Sequence, residues 1–163
     1  MKVTSSAITN GVIDDKYGKR GGDIVNGVCV YSIPFEITDA PANTVCFAAV
    51  LDDKDAVPVC GFTWIHWLVA NLKKTSVGEN ESARASFKQG RTSSHGALGK
   101  LSLEQASKYE GMAPPDRTHR YDLTVYALDC ELTLENGFGY NDLWYAMDGH
   151  ILAQSTVTGK YDA

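Results

Sequence analysis

The stretch that decides the fold is His119-Arg120-Tyr121-Asp122-Leu123-Thr124-Val125-Tyr126-Ala127-Leu128. Its odd-numbered positions read His, Tyr, Leu, Val, Ala; positions 120 to 126 between them read Arg, Asp, Thr, Tyr. A period of two in β-branched and aromatic residues is the pattern of a strand with one face turned to a core. The inward set begins with His119 and Tyr121. Two polar groups are therefore predicted to enter the buried side at one end of a sheet.

Outward from this strand the same pattern repeats. Asn43 to Leu51 is nearly all apolar and is predicted to be a strand buried on both faces. The polar run Asp52-Asp53-Lys54-Asp55 ends it. Phe62 to Leu72 is a third predicted strand, with Trp64, His66 and Leu68 on one face and Ile65, Trp67 and Val69 on the other. Gly27 to Tyr31 and Ile151 to Val157 are shorter strand candidates. Residues 73–116 read mostly as loop. A short helix is expected over Leu103 to Lys108, capped by Ser102, although Glu104 falls one place short of the capping-box position. Tyr140 to Met147 has helical character, with Gly149 as its stop. The sum is a mainly β chain with one or two short helices, in one domain spanning 1–163.

Composition narrows the function classes. The chain has 163 residues and a net charge of -5, which argues against nucleic acid as a partner, since phosphate neutralisation needs clustered basic side chains. The N-terminus lacks the apolar stretch of a signal peptide. The longest strongly apolar run, Val45 to Leu51, is far short of a membrane span. Cysteines at 29, 46, 60 and 130 form no CxxC pair, so no zinc site is expected, and no cofactor motif appears. Buried, reduced thiols in a cytoplasmic protein fit this pattern, with Cys46 and Cys60 in apolar stretches.

Three clusters hold residues able to do chemistry. Asp52-Asp53-Lys54-Asp55-Ala56 follows a buried strand; it is either a solvated turn or a set of carboxylates that orient loops, accept protons or bind metal. In Trp64-Ile65-His66-Trp67 the histidine is either a satisfied core residue or the floor of a pocket walled by Trp64. Gly111-Met112-Ala113-Pro114-Pro115 precedes Asp116-Arg117-Thr118-His119-Arg120-Tyr121. It is a stiff connector or a loop offering backbone N–H groups to an anion.

Taken together, these clusters resemble the phosphatidylethanolamine-binding protein family, in its bacterial Raf-kinase-inhibitor-like branch. Asp53-Lys54-Asp55-Ala56-Val57 resembles the family's Asp-Pro-Asp-Ala-Pro motif, and Trp64-Ile65-His66 its Trp-x-His strand. The segments 111–115 and 119–121 resemble its Gly-x-Gly-Pro-Pro loop and His-Arg-Tyr. Val125 to Asp129 and Met147 to Ala153 resemble later segments of the bacterial branch, and 31–41 an earlier one. The resemblance implies a Greek-key β-sandwich with one or two peripheral helices. It also implies a ligand pocket walled by Asp53, Ala56, Trp64, His66, Gly111, Ala113, Pro114, His119 and Tyr121. Lys54 and Val57 stand where the family has prolines, and Ala113 where it has glycine. Alanine there would be strained if that position required a positive φ.

The resemblance implies non-catalytic binding of a small anion or phospholipid headgroup (phosphate, carboxylate or phosphoethanolamine-like), with a kinase or protease as protein partner and a homodimer as the assembly. A second reading is a hydrolase or lyase using Asp53 with His66 or His119 on a small phosphorylated or carboxylated substrate; no GxSxG elbow accompanies it. A third is a metal site of Asp53, Asp55, His66 and His119. Phe87 to Gly96 reads as a lid or as a solvated surface loop, and His150 as structural.

Overall fold

The structure is a computed structural model, and it describes residues 1–96 and 98–163. Its strands are β1 (Lys2–Thr4), β2 (Ile8–Thr9), β3 (Val12–Ile13), β4 (Ile24–Val25), β5 (Val28–Cys29), β6 (Phe35–Thr38), β7 (Cys46–Asp53), β8 (Trp64–Leu72), β9 (Ser76–Val77), β10 (Lys88–Gly90), β11 (His119–Leu128) and β12 (Ile151–Tyr161). The helices are α1 (Val57–Cys60), α2 (Leu103–Ala106) and α3 (Tyr140–Met147). A seven-stranded sheet runs β10-β8-β7-β11-β12-β3-β2. Its β7–β8 hairpin is extended by β11, which returns along a long connection to lie beside β7 in Greek-key manner. A three-stranded sheet, β1-β6-β9, forms the second layer.

The large sheet is covered on both faces, which is why β7 is apolar almost throughout. Phe47, Ala49 and Leu51 join Leu123, Val125, Ile37 and Phe35 in the core shared with the small sheet. Cys46, Ala48 and Val50 face the other way, against Leu143 and Met147 of α3 and Phe138. Packing a sheet face against a helix or second sheet removes its apolar surface from water at about 25 cal/mol per Å2.

On β8 the expected alternation fails, and the failure is informative. Leu51 pairs with Trp67, but the next residue, Asp52, pairs with Ile65, so His66 is an extra residue opposite β7. Ile65 therefore packs with Leu68 and Ala70 on one face, while Trp67 and Val69 pack on the other. The single-period assignment of Ile65 with Trp67 is corrected by this bulge. A bulge re-aims one side chain, and here it turns the His66 ring edge-on to Tyr121, with ring centroids 5.2 Å apart.

Other expectations hold with shifted ends. Gly27 to Tyr31 contracts to β5, in a hairpin with β4. β7 begins at Cys46 and runs on to Asp53, while β12 extends to Tyr161. The helix at 103 is one turn long. Ser102 Oγ accepts from Gln105 N, and Gln105 Oε1 accepts from Ser102 N at 2.9 Å, so Gln105 completes the capping box. The 73–116 region also contains β9, β10 and a 3-10 turn at Glu81–Arg84. Among the described residues no helix is long and apolar enough to cross a membrane.

Candidate functional site

Three strands bring the site together at one end of the large sheet. Asp53 closes β7 and lies between Trp64 on β8 and Tyr121 on β11 in the pairing register. His119 opens β11, two residues before Tyr121 and on the same face. Beside this row is a cavity of about 240 Å3. Seven of the nine residues expected there line it: Asp53, Ala56, Trp64, His66, Ala113, His119 and Tyr121.

Gly111 and Pro114 lie outside the lining. The Gly111 N–H donates to the Cys29 carbonyl at 2.8 Å and is spent within the fold. A Cβ there would come within 2.5 Å of the Tyr17 carbonyl oxygen, so close backbone approach requires the glycine. The Pro114 carbonyl accepts from Lys19 Nζ at 2.7 Å. Ala113 has no positive φ and carries no left-handed strain.

The remaining lining comes from residues that the sequence reading left out: Val59, Cys60, Glu110 and Pro115. Val59 and Cys60 arrive on α1. Pro58 near the helix start and Gly61 just past its end, at φ 91°, were the local signal for it. Cys60, expected to be buried, is a half-buried free thiol. Glu110 is buried and fully engaged: Oε1 accepts from Trp64 Nε1 at 3.3 Å, and Oε2 from Thr92 Oγ1 at 2.8 Å. The segment 87–96, weighed as a lid, instead contains β10 and is tied to β8, where Ser93 Oγ accepts from Ile65 N at 2.9 Å. It reaches the site only through Thr92.

The polar groups have distinct states. Asp53 Oδ1 accepts from Ala56 N at 3.1 Å, and Oδ2 faces His119 Nδ1 at 2.7 Å. The turn contact and the histidine contact of Asp53 thus use different oxygens. His66 Nδ1 faces the Glu110 carbonyl at 2.9 Å, which makes Nδ1 the donor. Its Nε2 has no hydrogen-bond partner among the described residues. Tyr121 is buried, and among the described residues its hydroxyl has no partner at full hydrogen-bond geometry, although the Asp53 carboxylate and the Ala113 backbone N–H lie near it. Burial and then the Asp53 carboxylate hold the phenol protonated, well above its usual range. His119 is buried, and its Nε2 lies 2.9 Å from Asp116 Oδ1. Burial opposes its charge, but the hydrogen bonds to Asp53 and Asp116 outweigh this and raise its pKa.

The metal set considered from sequence is not brought together as a set. Asp55 Oδ2 accepts from Arg120 N at 2.9 Å. Among the described residues, the grouping of three such donor atoms within 4.8 Å is Asp129, Cys130 and His150, beyond the other end of β11. There His150 Nδ1 lies 2.8 Å from Asp129 Oδ1.

The sequence profile of the phosphatidylethanolamine-binding protein family matches residues 4–162. The chain belongs to this family. The Bacillus subtilis protein YxkA is 39% identical over 150 residues, covering 88% of this chain and 85% of that protein. A UPF0098 protein of Chlamydia pneumoniae is 34% identical over 99% of both chains. Among solved structures, the phosphatidylethanolamine-binding protein homologue CT736 of Chlamydia trachomatis superposes with a TM-score of 0.82 at 30% identity, covering 99% of this chain and 97% of its own. Escherichia coli YbcL gives 0.78 at 22% identity, a likeness of fold.

As a phosphatidylethanolamine-binding protein family member, the chain departs from the motif at positions that now have physical explanations. Lys54 Nζ bridges Asp52 at 2.7 Å and Asp122 at 2.9 Å, fastening the β7 end to β11. Val57 and Pro58 form the first turn of α1, so the displaced proline starts a helix.

Proposed function

We propose that this protein binds, without catalysis, a small ligand bearing a phosphate or carboxylate, of the phosphoethanolamine type, in the cavity between Trp64, His66 and Tyr121. The observation that carries the reading is the Tyr121 hydroxyl, buried in the cavity wall with no hydrogen-bond partner among the described residues. A buried polar group without a hydrogen bond costs about 1–3 kcal/mol. A ligand oxygen that accepts from it recovers that cost. With Nδ1 donating to the Glu110 carbonyl, His66 Nε2 is left as a second polar contact for the ligand. Glu110 adds a carboxylate beside the His119–Asp53 pair, which favours a ligand that also carries an ammonium over a bare anion. Trp64, stacked on Phe62 with centroids 5.8 Å apart, supplies an aromatic face for that group.

The test is an amide NMR titration with phosphoethanolamine, phosphate and acetate. Saturable shifts confined to residues 52–66 and 109–121, strongest for phosphoethanolamine and lost in Tyr121→Phe, are expected. Absence of shifts at millimolar ligand overturns the reading. The expected homodimer and kinase or protease partner rest on family resemblance, the expected cytoplasmic location on the cysteine pattern, and all belong to the same proposal. Sedimentation velocity tests the dimer.

A further inference from the structure

The His119 ring faces a carboxylate oxygen from each nitrogen: Asp53 at 2.7 Å and Asp116 at 2.9 Å. A neutral imidazole has one N–H and one lone pair. With either tautomer, a lone pair would point at a carboxylate. With both carboxylates ionised, the arrangement is satisfied only when both nitrogens carry hydrogen, and His119 is then an imidazolium with both donors occupied. It brings positive charge to the cavity wall and, in this state, no free N–H for a ligand. The sequence-based expectation that His119 donates to the anion therefore requires one of the two carboxylates to leave.

The two are held very differently. Asp53 is buried at the end of β7, and its other oxygen accepts from Ala56 N. The Asp116 side chain is 48% exposed and sits on the loop before β11. That loop is pinned on one side of Asp116 by Lys19 on the Pro114 carbonyl, and on the other by Thr118 Oγ1 donating to Asp162 at 2.6 Å. Pro115, between these anchors, lines the cavity. The second Asp116 oxygen lies 4.0 Å from the Arg117 guanidinium.

We propose that Asp116 is an internal stand-in for the ligand's oxyanion: its carboxylate occupies the His119 Nε2–H, and an incoming phosphate or carboxylate must displace it. This deepens the headgroup-binding reading and rests on it. Asp116 is then the residue that sets the affinity of the site for anions. An internal carboxylate engaged nine times in ten weakens an external competitor about tenfold, because only the remaining tenth of the molecules is open.

The experiment pairs phosphoethanolamine titrations at pH 6 with long-range 1H–15N spectra of the histidine rings, on the full chain and on Asp116→Asn and Tyr121→Phe. At pH 6 the neighbouring Asp53 keeps His119 protonated in the variant. Both His119 nitrogens are expected to show the protonated signature in the unmodified protein. Asp116→Asn is expected to bind about tenfold more tightly, and Tyr121→Phe to lose binding. One protonated and one bare His119 nitrogen overturns the proposal. So does an Asp116→Asn variant that binds no better than a binding-competent parent. If neither protein binds while the doubly protonated signature is present, the headgroup reading itself has failed, and displacement falls with it.

Discussion

The two ends of β11 carry the same pair of residue types in opposite surroundings. At the start of the strand, His119 faces Asp53 at 2.7 Å with both side chains buried; beyond its end, His150 faces Asp129 at 2.8 Å with both side chains nearly half exposed. Contact distance does not separate them. Solvent does: water screens the outer pair and leaves each partner an alternative, whereas the inner pair has exchanged water for each other. The comparison teaches that the site's electrostatics arise from where the sheet buries β11, not from the residue types alone.

The largest expected effect breaks the inner pair. Asp53→Ala should cost about 3–5 kcal/mol, because it leaves the buried His119 Nδ1–H without its partner and frees the Ala56 N–H at the start of α1. Urea unfolding measures it. A loss under about 1 kcal/mol would mean that burial adds nothing to this pair.

The next effect is in pH. The folded pKa of His119 is raised above its ordinary value near 6.5: burial lowers it, and the hydrogen bonds to Asp53 and Asp116 more than restore it. Around the ring stand Asp53, Asp116, Tyr121 and, across the ladder on β12, Tyr161. A raised folded pKa means that this contribution is complete below the unfolded value and is lost as pH rises through the folded one. Stability measured from pH 6 to pH 9 should therefore carry a downward component that is absent in His119→Gln and present in His150→Gln. Equal slopes in the two variants would erase the contrast between the ends.

Smaller still is Tyr121→Phe. Removing a buried hydroxyl without a partner should leave stability unchanged or raise it by up to about 1 kcal/mol. A clear loss of stability would show that this hydroxyl is already satisfied in the free protein, and would remove the unpartnered donor on which the proposed ligand contact rests.

These contrasts also mark what was legible in the residues alone. The alternation of β11 placed His119 and Tyr121 on the buried face, and the run from Tyr140 to Met147 gave α3 with its ends. Strict alternation put Trp64 and His66 on one face, and both line the cavity, but it could not separate Ile65 from Trp67, because the extra residue is defined by the register with β7, a property of two strands. Glu110 enters through Trp64 and Thr92, partners far away in sequence. The Gly111 amide was misassigned for a similar reason: its acceptor, the Cys29 carbonyl, belongs to a distant hairpin. Residues on a strand face were visible; Glu110 and the fate of the Gly111 amide, which depend on partners far away in sequence, were not.

The smallest expected effect lies at the outer end. Asp129→Asn and His150→Gln should each change stability by no more than about 0.5 kcal/mol, and the double variant should show a coupling of similar size. Raising the salt to about 1 M, where the Debye length is roughly 3 Å, should reduce that coupling further, while Asp53→Ala keeps most of its cost. If the outer coupling instead matched the inner loss and resisted salt, exposure could not be what distinguishes the two ends. The functional weight placed on the buried end would then have to rest on the cavity and the unpartnered Tyr121 hydroxyl alone.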